Sequence, residues 1–75
     1  MNKYILNLNK QDSKSGENYE VHNSSCPFLP KSENQKFLGI FTSCHTAINY
    51  VKENFSKEIA DNVDGCYYCT SCHNE

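Results

Sequence analysis

Cys66, Cys69 and Cys72 stand at three-residue spacing within the last ten residues, and His73 follows directly. About forty residues upstream lies His22-Asn23-Ser24-Ser25-Cys26, an H-x3-C pair. Five Cys and three His in 75 residues is dense usage for a chain of this size. Thiolates and imidazoles in two separated pairs are what a structural tetrahedral zinc site requires. A C-x2-C turn presents two sulfurs on one side of a tight loop. A second pair must come from a distant segment, and closing that loop around an ion fixes the fold.

Two C-x2-C pairs overlap and share Cys69: Cys66-Tyr67-Tyr68-Cys69 and Cys69-Thr70-Ser71-Cys72. Spacing alone does not choose between them. Small hydroxyl residues suit an exposed knuckle better than two tyrosines, which favours the second pair. His73 competes with His22 as the imidazole ligand but directly follows Cys72, and adjacent residues reach one ion only with strain. Cys44 and His45 fall at the start of an expected helix. A helix N-terminus lowers a thiol pKa, so Cys44 is a candidate reactive thiolate, against the plainer reading of a small packed side chain. A redox dithiol needs C-x2-C between a strand and a helix, whereas this cluster closes the sequence with no helix after it. Catalytic zinc needs an open coordination position and a nearby base, and a full Cys/His set argues instead for a closed site.

Several elements must position these residues. Lys3 to Asn9 reads as a first strand, and Lys10 to Asn18, polar and containing Gly16, as a mobile hairpin loop. Tyr19 to His22 is a second strand, antiparallel to the first, that delivers His22 at its end. Cys26-Pro27-Phe28-Leu29-Pro30 cannot be regular helix, and Phe28 and Leu29 are expected to plug the core beside the metal. Phe37 to Thr42 is a third strand in which Gly39 marks a bulge or a close approach. Ser43 is the expected N-cap of a helix running to about Phe55, with Ala47, Ile48, Val51 and Phe55 on one face. Ser56 to Ala60 extends that helix or starts another. Asn62-Val63-Asp64-Gly65 reads as a turn into the cysteines.

Composition sets the outer bounds. Seventy-five residues make one domain with a thin core, the size at which metals or disulfides are commonly added. No signal peptide and no apolar run of membrane-spanning length is visible, so the expectation is a cytoplasmic chain with reduced thiols. The odd Cys count argues against a complete disulfide framework. Net charge is −2 and every basic side chain is Lys. Without Arg forks, specific nucleic-acid recognition is disfavoured.

Tyr19-Glu20-Val21-His22-x3-Cys26-Pro27, then Phe41-Thr42-Ser43 opening a helix with Ala47, then Gly65-x3-Cys69-x2-Cys72, resembles the metal-binding fold of the Ada DNA-repair protein's N-terminal domain. The likeness covers roughly residues 19 to 73. It is similar in particular to the small stand-alone bacterial and phage relatives of that fold, which are mostly uncharacterised. The resemblance implies zinc held by His22, Cys26, Cys69 and Cys72, with Cys66 a possible substitute. It also carries a departure. The family's methyl-accepting thiolate falls where this chain has His22, and a neutral imidazole is a poor substitute for that nucleophile. The resemblance therefore implies a fold and a zinc site, not methyl transfer.

The expectation is a single α+β domain spanning residues 1–75, zinc-stabilised, with two or three antiparallel strands packed on one main helix. Its expected role is a monomeric, non-enzymatic binding module for a protein or, second, a nucleic acid, without a membrane partner. The alternative is a thiol-reactive or redox protein using Cys44 or a C-x2-C dithiol.

Overall fold

The computed structural model describes residues 2–9, 11–13, 16–66, 69 and 70. Strands β1 (Asn2–Asn7), β2 (Gln11–Ser13) and β3 (Gly16–Asn23) come first. A single 3-10 turn (Ser32–Asn34) leads into β4 (Gln35–Phe41). Helices α1 (Cys44–Asn54) and α2 (Lys57–Asn62) follow, and then β5 (Val63–Gly65). The sheet runs β2-β3-β1-β4, with β5 also paired to β3. All pairings are antiparallel except β3 with β5, which is parallel. The α+β expectation holds, with a mixed sheet and a second short helix added to it.

Two expected loops are strands. The Lys10–Asn18 segment contains β2 and the start of β3, paired from Gln11↔Asn18 to Ser13↔Gly16. Polar composition hides such a hairpin, because no apolar alternation marks its strands. Val63–Gly65, expected as a turn, pairs Tyr19↔Val63 through Val21↔Gly65. A three-residue parallel strand has no local signature; the distant β3 edge creates it. β1 is shorter than expected and ends at Asn7, whose side-chain Oδ1 accepts the Asn9 N–H at 2.9 Å, a local turn that stops the ladder.

The core fills one face of the sheet. Tyr4 and Leu6 of β1, Val21 of β3 and Leu38 of β4 pack against Cys44, Ala47, Ile48 and Val51 of α1. The helical residues recur at three- and four-residue spacing, the stripe that the sequence indicates. Ser43 caps the helix, its Oγ accepting the Thr46 N–H at 3.4 Å. At the other end the Phe55 N–H donates to Val51 O, after which Ser56 opens α2. Tyr19, Phe41, Phe55, Ile59 and Val63 pack around this cluster.

One irregularity sets what the opposite face carries. Tyr4 pairs with Gly39 but Ile5 pairs with Phe37, so Leu38 is an extra residue in β4. The bulge lets Leu38 enter the core, and Gly39 takes φ 132°, a conformation that L side chains rarely adopt. Directly paired residues share a face. Ile5 therefore shares the outer face with His22 and Phe37, and Lys3 shares it with Ile40. Unbroken alternation would have put Phe37 and Ile40 on opposite faces.

Candidate metal centre

His22 lies on that outer face near the end of β3, and its side chain is 1% exposed. Cys26 reaches it through a tight turn. The Cys26 N–H donates to Asn23 O at 2.9 Å, and the Ser24 N–H donates to Lys3 O at 2.9 Å. The Asn23 side chain holds the turn from inside, its Oδ1 accepting from the Ser25 N–H at 3.1 Å and the Ser25 hydroxyl at 3.0 Å. This is why three intervening residues bring an imidazole and a thiol to one point.

The second pair arrives from β5. Its ladder continues one residue further, the Cys66 N–H donating to Val21 O at 2.9 Å. Thr70 then turns the chain back, its N–H and hydroxyl both donating to Cys66 O, at 3.1 and 2.8 Å. The turn brings Cys69 over His22, with Cys69 Sγ 3.8 Å from His22 Nδ1. Cys26 Sγ and Cys66 Sγ are 3.9 Å apart.

His22, Cys26, Cys66 and Cys69 thus place four donor atoms within 4.8 Å of one another, a group that could hold a metal ion. Metal–sulfur bonds of about 2.3 Å in a tetrahedron give sulfur–sulfur edges of about 3.8 Å. Of the expected ligands, the structure brings His22, Cys26 and Cys69 together and adds Cys66, the possible substitute. Cys72 and His73 lie outside the described residues, as do Tyr67 and Tyr68.

The electrostatics suit a cation. Burial lowers the His22 pKa, keeping the imidazole neutral with a lone pair to offer. Burial, foremost, and the hydrogen bond with Cys26 push the Cys69 thiol well above its ordinary value. Packed sulfurs resist ionising together unless a positive charge joins them. Backbone donors are already aimed at two of them. The Asn23 N–H points to Cys69 Sγ at 3.3 Å and the Phe28 N–H to Cys26 Sγ at 3.4 Å. The Asn23 N–H favours the Cys69 thiolate over the thiol.

One expectation needs correction. Phe28 does not plug the core but is 57% exposed. The core cluster lies on the other face of the sheet, against α1, and includes neither Phe28 nor the half-buried Leu29. Cys44 is buried in the core cluster, in keeping with the plainer reading of a packed side chain, and is disulfide-bonded, which removes the alternative of a free reactive thiol. Its place on the inward stripe of α1 outweighs any effect of the helix terminus. The free cysteines among the described residues are Cys26, Cys66 and Cys69.

A scan against family models, a search of curated proteins and a search of solved structures each find no match to this chain.

Proposed function

We propose that this chain is a structural zinc domain that serves as a binding module, with Zn2+ held by His22, Cys26, Cys66 and Cys69. The observation that carries this reading is the convergence of those four donors from two segments onto one buried point. A soft Cys3His set suits zinc among the common divalent ions. Four protein donors complete a tetrahedron and leave no position for a substrate, which favours a structural over a catalytic ion. With three thiolates the loaded centre carries a net charge of about −1. The proposed relationship to the Ada N-terminal fold rests on the H-x3-C pair and the capped helix; its C-x2-C pair corresponds to Cys69 and Cys72, whereas the group gathered here uses Cys66 and Cys69. Methyl transfer is not part of the proposal, because His22 stands where the acceptor thiolate would be.

The binding role rests on the outer face. Phe37 and Ile40 are 58% and 55% exposed, and the β4 bulge sets both on the side of the sheet that carries His22. Exposed aromatic and aliphatic side chains beside a rigid centre are the usual anchors of a protein contact. The net charge of −2 and the lack of Arg favour a protein over a nucleic acid as partner. No helix among the described residues is long and apolar enough to cross a membrane.

Native mass spectrometry with elemental analysis tests the metal reading. One zinc per chain is expected, lost together with compact charge states on chelation. A metal-free chain that stays compact would overturn it.

A further inference from the structure

The His22 ring has two nitrogens in different surroundings. Nδ1 lies 3.8 Å from Cys69 Sγ, on the side of the thiols. Nε2 is buried and has no hydrogen-bond partner. The group facing it is Glu20, whose Oε1 stands 3.7 Å away and whose side chain is 20% exposed. The two residues are at i and i+2 of β3, so both side chains leave the same face of the strand. Pairing of Glu20 with Asp64 of β5 anchors the backbone between them.

A neutral imidazole donates from one nitrogen and offers a lone pair at the other. If Nδ1 binds an ion, Nε2 must carry the proton, and a buried N–H needs an acceptor. Metal-bound histidines commonly donate that second N–H to a carboxylate, which fixes the ring and raises ligand basicity.

Building on the zinc reading above, we infer that Glu20 is the positioning residue for the His22 ligand. Its carboxylate accepts a hydrogen bond from the Nε2–H, and this selects the tautomer whose Nδ1 lone pair faces Cys26, Cys66 and Cys69. The present separation is under 1 Å longer than a hydrogen bond, a gap that a flexible glutamate side chain closes by rotation. Glu20 is not itself a ligand; it acts through His22.

The test uses the full chain loaded with 113Cd2+ and labelled with 15N. One-bond cadmium coupling to His22 Nδ1, with a protonated Nε2, is the expected spectrum. Coupling to Nε2 would overturn the assignment. In parallel, Glu20→Ala should weaken zinc binding by about 10–100-fold, and Glu20→Gln, which retains an acceptor oxygen, should recover most of that loss. Wild-type affinity in Glu20→Ala would sink the inference while leaving the zinc site standing. Failure of the wild-type chain to bind either ion would sink the zinc reading and this inference with it. The cadmium spectrum is recorded on the wild-type chain, so the coupling still decides the matter if Glu20→Ala does not fold.

Discussion

The Cys66 N–H donates to the Val21 carbonyl at 2.9 Å, so the last rung of the β3–β5 ladder sits directly before His22. That bond makes Cys66 a neighbour of the imidazole and connects the Cys/His cluster to the core. Val21 is fully buried on the helix side of β3 while His22 is buried on the other.

Cys66→Ser should therefore lower zinc affinity by at least about 100-fold, or about 2.7 kcal/mol, since one of four ligand bonds is lost. Cys72→Ser should bind zinc as the wild type does. Competition against a chromophoric chelator measures both. Loss of zinc in Cys72→Ser with retention in Cys66→Ser would transfer the fourth ligand to Cys72.

The metal-free chain should be most stable between about pH 6.5 and 9, the ordinary values for His and Cys. The folded pKa of His22 is lowered, so the unfolded chain binds the extra proton and stability falls as pH drops below 6.5. The folded pKa of Cys69 is raised, so the unfolded chain ionises first and stability falls as pH rises above 9.0. Zinc should remove the alkaline loss, because bound thiolates are already ionised. Urea denaturation across pH, with and without zinc, reads both limbs.

Gly39→Ala should cost about 1–3 kcal/mol, as strain rather than crowding. The backbone holds φ 132°, while an added Cβ would meet the Phe41 ring at an ordinary 3.5 Å. Thermal denaturation of the zinc-loaded protein checks the cost. An unchanged midpoint would mean that position 39 does not depend on the conformational freedom of glycine.

Without reductant, intact mass should fall by about 2 Da for one disulfide involving Cys44. Cys44→Ser should destabilise the chain by about 2–4 kcal/mol and leave zinc stoichiometry unchanged. Zinc lost together with this disulfide would mean that the two are not independent. A fully reduced native mass would support the cytoplasmic expectation that the Cys44 disulfide opposes.

Local patterns in the chain carried much of the architecture. The inward stripe of α1, its Ser43 cap and the alternation in β1 are properties of neighbouring residues, as is the H-x3-C turn closed by Asn23. Each is set by interactions spanning a few positions, and so is legible in order along the chain. The fourth member of the Cys/His group was of another kind. Cys66 and Cys72 flank Cys69 symmetrically, and only pairing of β5 with β3, across more than forty residues, brings Cys66 beside His22. The same holds for Phe28, whose exposure follows from which face of the sheet α1 covers, and for Phe37 and Ile40, set on one face by the bulge at Leu38. Residue types and spacing determined that metal chemistry was available. The tertiary structure decided which atoms converge, because long-range strand pairing leaves no periodic trace in the segments it joins.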